Sequence, residues 1–516
     1  MLNFFDAPLW LRRVVIGLLS IVVAVLVLAV LTYRQLPDNT QKSISHHLTP
    51  NLDGAIAKRL LPQISQHAKE SGIYMLADSR DAFLARLALV EKAEQSLDLQ
   101  YYIYHDDLSG RLLSQRLIAA ADRGVRVRML LDDHTMAGMD GVIKALDDHQ
   151  NIEVRLFNPY MQRQFRPLGY LTDFFRLNRR MHNKSMTADS IISIVGGRNI
   201  GNEYFDANSG IMFADLDVAV VGQGAQQTAE DFDRYWNDQS SYPASVIIGN
   251  VAPADLSGVS DEARGYLGLL MQTNFAKYLT DGQMPLVWAK TMLISDHPSK
   301  VLKKQQEQNI LDKYIAPLME NAQKELVIVS PYFVPTKQGE RMLSNLAKKG
   351  KSVGVLTNTL AANDVAVVHS GYAKYRKDLL KSGVKLYELK DDATVKPAAV
   401  RGAYDGQGAS LHAKTFVVDG RYLYVGSFNM DPRSANLNTE MGLIIDSPKL
   451  AKSLIDQLSI NLSKHTYTVS LDDEGKMIWT TQENGEMIQQ DHEPESSLYR
   501  RVQVWIASHL PIEWLL

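Results

Sequence analysis

The sequence contains no cysteine. This excludes disulfides, thiolate nucleophiles and cysteine-ligated metal sites, and it leaves the redox compartment open. An excess of either charge is also missing: 55 lysines and arginines stand against 58 aspartates and glutamates, for a net charge of −3. A protein that holds nucleic acid through overall basicity is therefore not expected, although local basic patches are compatible with this balance. There is no His-Glu-x-x-His zinc helix, no Gly-x4-Gly-Lys phosphate loop and no Gly-x-Ser-x-Gly elbow. Asp132-Asp133-His134, at the end of a strand pattern, reads as a loop cap rather than a metal cluster. No metal and no cofactor is expected. What remains is an ordinary globular composition, 45% hydrophobic and 22% charged, over 516 residues. That length exceeds what one core usually supports, so two domains are expected.

One long apolar run is present. Val14 to Thr32 can span a bilayer as a helix, with Trp10 and Tyr33 as interfacial aromatics at its ends. No small-x-small cleavage site precedes Tyr33-Arg34, so an uncleaved anchor over residues 1–34 is expected. Residues 35–73 follow as a polar linker with a helical pattern around Ala55 to Ala68.

From Ser96 the pattern becomes βαβ. A strand over Leu97 to Tyr104 leads to a helix over Ser109 to Arg123 and a strand over Val125 to Leu131. The unit recurs as Glu325 to Tyr332, Gly339 to Lys349 and Val353 to Asn358. Tyr332 lies 230 residues after Tyr102, and His412 lies 230 after His182. A duplication accounts for both offsets. The chain is read as an α/β protein of two similar lobes, 74–245 and 285–468. Residues 246–284 connect them, and 469–516 form a C-terminal tail.

Each lobe ends in a strand pair that carries chemistry. His412-Ala413-Lys414 runs into Thr415 to Val418, turns at Asp419-Gly420, and returns through Tyr422 to Val425 into Gly426-Ser427-Phe428-Asn429. Asp-Gly between two β-rich runs is a hairpin signal, and residues two apart share a strand face. His412 with Lys414, and Ser427 with Asn429, would therefore line one face. Asp419 sits at the turn and is read as holding the hairpin. The first lobe repeats the pattern as His182-Asn183-Lys184 up to Asp189, followed by Gly196-Gly197-Arg198-Asn199.

Two histidines, each with a nearby lysine, suit reaction at a phosphodiester. One imidazole attacks phosphorus while the other protonates the departing alkoxide. Lys184, Lys414, Asn199, Ser427 and Asn429 would hold the phosphoryl oxygens. Two acids in apolar runs need buried partners: Glu440 is read as orienting His412, and Asp217 as orienting His182. The segment from Gln162 to Lys184 interleaves Arg163, Arg166, Arg176, Arg179 and Arg180 with Phe165, Tyr170, Phe174 and Phe175. It is read as a membrane-surface element that delivers anionic lipid to the site. Leu498 to Leu516 is either docked on the core or a second interfacial contact.

The two His-x-Lys-x4-Asp stretches with their trailing Gly-Gly-Arg-Asn and Gly-Ser-Phe-Asn resemble the phospholipase D superfamily, over about Tyr74 to Thr466. Met181 to Ser185, Val195 to Gly201, Leu360 to His369, Gly426 to Ser434 and Leu510 to Leu516 are similar to bacterial cardiolipin synthases, closest to the C type. The resemblance implies two lobes, each a mixed sheet flanked by helices, with one active site between them. It implies a phosphatidyltransferase that acts through phosphohistidine, with phosphatidylglycerol as acceptor and phosphatidylethanolamine or phosphatidylglycerol as donor. Asp189 and Asp419 join the catalytic set as part of the family signature. His182 is implied as the nucleophile and His412 as the acid, and Asn363, His369 and Tyr372 as substrate contacts. The alternative is a hydrolase with water as acceptor. The expected partners are the phospholipids and the membrane, with no nucleic acid; a protein partner is not readable. The expected location is the bacterial inner membrane. Arg12 and Arg13 precede the apolar run and Arg34 and Lys42 follow it, a near balance that leans slightly toward a cytoplasmic N-terminus and extracytoplasmic lobes.

Overall fold

The computed structural model describes residues 8–207, 212–281, 284–302, 308–363, 365–391, 409–483 and 485–516. The apolar run forms one helix, Leu9–Thr32, none of whose residues is buried by the rest of the protein. It has 24 residues, and its most apolar stretch has a mean hydropathy of 3.3. At a rise of ~1.5 Å per residue it is long enough to cross a hydrocarbon layer of about 30 Å.

The remainder is a mixed α/β structure built twice on one plan. In the first copy the strands Ser96–Tyr101, Arg126–Asp132 and Ile152–Phe157 run parallel. The antiparallel strands Ser185–Ala188, Ile192–Gly196 and Asp217–Gly222 extend the sheet beyond Ser96–Tyr101. In the second copy Glu325–Val329, Ser352–Asn358 and Lys385–Leu389 are the parallel set. Thr415–Val418, Tyr422–Gly426 and Met441–Asp446 are the antiparallel continuation. Helices Leu108–Asp122 and Thr336–Lys348 make the crossovers between the first two parallel strands of each copy. Strands Ser71–Leu76 and Val287–Ser295 each pair with the last antiparallel strand of their own copy and also with each other, joining the two sheets.

The strands form where β-branched and aliphatic residues accumulate, and the sheets bury both faces, which is why these runs read as almost continuously apolar. A core of Val195, Val218, Val220, Val417, Val425, Leu443 and Ile445 draws residues from both sheets, so the lobes meet face to face. Burying side chains of this kind contributes roughly 1.5–3 kcal/mol each. The lobes do not merely abut. Met212–Ala214 of the first lobe pairs with Ala409–Leu411 of the second, immediately before His412. In the reciprocal contact Met181 bridges Thr439, and the His182 amide donates to the Thr439 carbonyl at 2.9 Å. Each motif histidine is thus held against a strand end that belongs to the opposite lobe.

The hairpin turns have positive φ at both central residues, Asp419 and Gly420 in one copy and Asp189 and Ser190 in the other. This geometry matches the twist of the flanking strands. Asp419 accepts the amides of Gln323, Lys324 and Glu325 at 2.9, 2.7 and 3.1 Å. Asp189 does the same for Glu94, Gln95 and Ser96 at 3.0, 2.8 and 3.0 Å. Both aspartates clamp the hairpin turns to the start of a parallel strand, at the opposite end of the hairpin from the histidines. The turn-holding reading of Asp419 agrees with this placement. Their inclusion in the catalytic set is corrected, because a carboxylate saturated by three backbone amides at the turn does not reach the site.

Candidate active site

His182 and His412 lie in the short stretches that precede the hairpins, where the chain has left one lobe's sheet to pair with the other lobe. His182 Nδ1 sits 2.9 Å from Glu440 Oε2, and His412 Nδ1 sits 2.5 Å from Asp215 Oδ2. A carboxylate at Nδ1 fixes the tautomer and leaves Nε2 for the reaction. Lys184 Nζ donates to the His182 carbonyl at 2.5 Å, and Lys414 Nζ lies 3.1 Å from His412 Nδ1. The surroundings are aromatic. Tyr102 stands edge-on to His182 at 5.0 Å, with Lys184 Nζ 5.4 Å above its ring. Tyr204 and Phe213 flank His412 at 5.2 and 4.9 Å.

Two orienting assignments made from the sequence are corrected. Glu440 belongs to His182, not to His412, because the chain runs beside the opposite lobe's motif just before strand Met441–Asp446 begins. Asp217 touches neither histidine: it is buried between Arg86 Nη2 at 2.9 Å and the Arg198 amide at 3.1 Å. The residue at His412 is Asp215, which the sequence reading passed over. The signal was present. Gly196 pairs with Asp217 where Gly426 pairs with Gly442, so Asp215 is the counterpart of Glu440. Aligning the two apolar runs Val218 to Val221 and Leu443 to Asp446 recovers this match.

Several expected contacts are occupied elsewhere. Ser427 donates to Glu440 at 2.5 Å and accepts the Met441 amide, so it positions the acid rather than a phosphate. Asn199 accepts the Ile103 amide and donates to Tyr204, which uses both ends of its amide to hold the loop. Asn429 is buried with a side-chain oxygen that has no partner among the described residues. Arg180 is buried in a bidentate pair with Asp132, and Arg176 is taken up by Asp173 and Asn158. Arg179 is half-buried and donates to the Lys300 carbonyl at 2.8 Å. The segment keeps an exposed apolar face: Phe165, Leu171, Phe174 and Phe175 are all open to solvent. Its arginines, however, point inward to carboxylates and carbonyls, which corrects the assignment of Arg176 and Arg180 as lipid contacts. Asn363, His369 and Tyr372 are buried too. Asn363 caps the Val365 amide, His369 faces Arg376 at 3.1 Å, and Tyr372 donates to Glu388 at 3.0 Å. They build the second lobe's interior, where an i, i+3 pair on a helix faces the sheet, and are corrected as substrate contacts. Asp132 accepts from Arg180 and the His134 amide, in keeping with a loop cap.

The site is electrostatically lopsided. Burial, reinforced by Lys184, Lys414 and His412, pushes the His182 pKa well below the usual imidazole value. Burial and Lys414 also lower that of His412, but Asp215 pulls it back up. Glu440 is raised by burial to about 7 despite Lys184. Burial acts on Asp215 in the same direction, yet His412, Lys414 and Arg198 outweigh it and hold Asp215 below the ordinary carboxylate range. Lys184, fully enclosed, is pushed well below the normal lysine value by desolvation, against the pull of Glu440. One histidine therefore stands neutral beside a carboxyl that gives up its proton reluctantly, and the other stands beside a firmly ionised carboxylate.

The family model for the PLD-like domain of cardiolipin synthase matches residues 87–236 and 315–460, which contain both histidine motifs. Cardiolipin synthase C of Escherichia coli is 47% identical over 472 residues, covering 89% of this chain and 99% of that protein. The chain belongs to the phospholipase D-like cardiolipin synthase family. A more distant relative in this family is the major cardiolipin synthase of Bacillus subtilis, 27% identical over 77% of this chain and 71% of its own length. The crystal structure of phosphatidylserine synthase from Haemophilus influenzae shares the fold, with a TM-score of 0.57, 16% identity, and coverage of 89% of this chain and all of that one. The two-lobed phospholipase D-like architecture expected from the paired motifs is therefore the observed one.

Proposed function

We propose that this enzyme of the cardiolipin synthase family joins two phospholipids at the paired histidines. His182 Nε2 attacks the phosphorus of a phosphatidyl donor, phosphatidylethanolamine or phosphatidylglycerol. The bond from phosphorus to the headgroup oxygen breaks, and His412 gives its proton to the departing alkoxide. The glycerol hydroxyl of phosphatidylglycerol then attacks the phosphohistidine. His412 takes that hydroxyl's proton, the phosphorus–nitrogen bond breaks, and cardiolipin leaves.

The observation that carries this division of labour is the crossed pairing of each histidine with an acid of the other lobe, combined with the unequal state of the two acids. A neutral, desolvated His182 is available as a nucleophile. His412, beside ionised Asp215, is better able to hold and return a proton. Lys414, and Lys184 once the anionic phosphodiester beside it favours its ammonium form, supply positive charge where negative charge builds on the phosphoryl oxygens. Membership of the family, the apolar helix Leu9–Thr32 and the exposed aromatic face near the site support membrane-bound phospholipids as substrates. The inner membrane, with the lobes on its outer side, fits the placement of Arg12 and Arg13 before that helix.

The test is to incubate the purified protein with phosphatidylglycerol, with and without phosphatidylethanolamine, and to identify the products by mass. Cardiolipin is the expected product. Its appearance only when both lipids are present assigns phosphatidylethanolamine as donor. Phosphatidic acid without cardiolipin would overturn the transferase reading in favour of a hydrolase.

A further inference from the structure

The C-terminal segment places none of its side chains among those described at the paired histidines, and its chemistry is one-sided. Helix Leu498–Ser508 turns Val504 and Ala507 inward, and Arg500 anchors it by donating to the Ala361 and Asn363 carbonyls at 3.1 and 2.6 Å. On the opposite face Leu498, Tyr499, Val502, Trp505 and Ile506 follow helical spacing and are left open, with Trp505 65% and Tyr499 71% exposed. Trp514, just beyond, is also exposed. Five large apolar residues on one turn-repeating face exceed the scattered surface hydrophobics of an ordinary globular protein. Tryptophan and tyrosine beside aliphatic residues are the composition of an interfacial helix.

The position of the segment decides between occupants. Arg433 donates from Nε to the Leu515 carbonyl at 3.0 Å and from Nη1 to the Asn178 carbonyl at 3.1 Å. Asn178 ends the helix Tyr170–Leu177, which carries exposed Leu171, Phe174 and Phe175. The loop before that helix reaches the end of the membrane-spanning candidate, where Gln162 donates to the Thr32 carbonyl. Apolar anchor, aromatic helix and the last residues of the C-terminal segment are thus linked by successive contacts. Charge does not oppose this: between Leu498 and Leu516 the one acid is Glu513, which Lys374 and Tyr375 already engage, Arg500 is spent on the Ala361 and Asn363 carbonyls, and Arg501 adds a further positive charge.

From this arrangement we infer that the exposed face of helix Leu498–Ser508 docks on an anionic phospholipid bilayer, on the side from which the anchor helix enters. The docked helix gives the lobes a second attachment and fixes their tilt, so that the lobe junction opens onto the lipid surface rather than swinging on a single tether. The inference does not depend on the roles of the two histidines or on which lipid is the donor.

The absence of native cysteine makes the test direct. Val502→Cys and Ile506→Cys, both at exposed positions, each carry a nitroxide label in the full chain, reconstituted into vesicles of phosphatidylglycerol and phosphatidylethanolamine. Asp261→Cys, whose native side chain is 96% exposed, is the aqueous reference. The expected result is a several-fold higher ratio of collisions with oxygen to collisions with a water-soluble nickel chelate at both helix positions than at residue 261. Ratios equal to the reference would overturn the inference, because the face would then lie in water. Low accessibility to both reagents would overturn it as well, in favour of a protein surface covering the helix.

Discussion

Replacing Asp215 with asparagine removes the negative charge that His412 faces at 2.5 Å while keeping the shape of the side chain. Asp215 is the group that pulls the His412 pKa upward against burial and Lys414. Without its charge the His412 pKa falls further, so His412 loses its proton at a lower pH. A hydrogen bond to a charged group contributes about 1.5–3 kcal/mol, and one pKa unit corresponds to about 1.4 kcal/mol. The expected displacement is therefore roughly one to two units. In the proposed mechanism the proton on His412 is the one donated to the leaving alkoxide, so the alkaline limb of kcat/KM moves to lower pH by that amount. At a fixed pH above the limb the rate falls about 10- to 100-fold. The assay is the initial rate of cardiolipin formation in mixed micelles across about pH 5 to 9. Asp217→Asn is the control: it leaves Arg86 and Arg198 buried without their carboxylate and costs stability, but it leaves the limb in place. A uniformly lower rate with an unmoved limb in Asp215→Asn would refute the coupling. An equal displacement in Asp217→Asn would show that any change of buried charge produces it.

With a 4-nitrophenyl phosphodiester as donor, whose leaving group needs no protonation, His412→Ala should accumulate phosphohistidine on His182 and stall. His182→Ala should form none, and peptide mass after rapid quench distinguishes them; label on His412 instead would reverse the two roles. Lys184→Ala should cost about 3 kcal/mol of transition-state stabilisation, roughly a hundredfold in kcat, and an unchanged rate would remove Lys184 from the chemistry. Asp419→Ala strips the acceptor from three backbone amides, so the unfolding midpoint should drop by the equivalent of about 1–3 kcal/mol. The folded fraction should retain its turnover, and loss of activity without loss of stability would place Asp419 back in the site.

Much of the architecture was legible because it is local or periodic. The apolar run, the two βαβ units and the hairpins announce themselves through composition and turn chemistry, and their shared offset of 230 residues exposes the duplication. His182, Lys184, His412 and Lys414 stood out because a polar set on a strand face has no packing reason to exist twice. The misses have two sources. Asp217, Asn199, Ser427 and Arg180 are chemically capable residues that flank or follow the motifs along the chain, and such proximity is no guide to proximity to the site; His369 and Tyr372, 43 and 40 residues before His412, rest on the family resemblance. In the folded protein each is taken up by a neighbour that the linear order does not reveal: Arg86, Tyr204, Glu440, Asp132, Arg376 and Glu388.

By itself the sequence determined the class of fold, the family, the pair of histidines and the phosphoryl chemistry they suit, since these rest on residue types and regular spacings. Only the tertiary structure decided which acid serves which histidine. Each lobe's acid lies just before a strand, against the other lobe's motif, so Glu440 reaches His182 and Asp215 reaches His412 across the junction. The unequal charge around those two equally buried acids, with His412, Lys414 and Arg198 at Asp215 against Lys184 at Glu440, is likewise a property of where the lobes meet. Burial and charge proximity depend on distance through space, and a linear order of residues does not contain that distance.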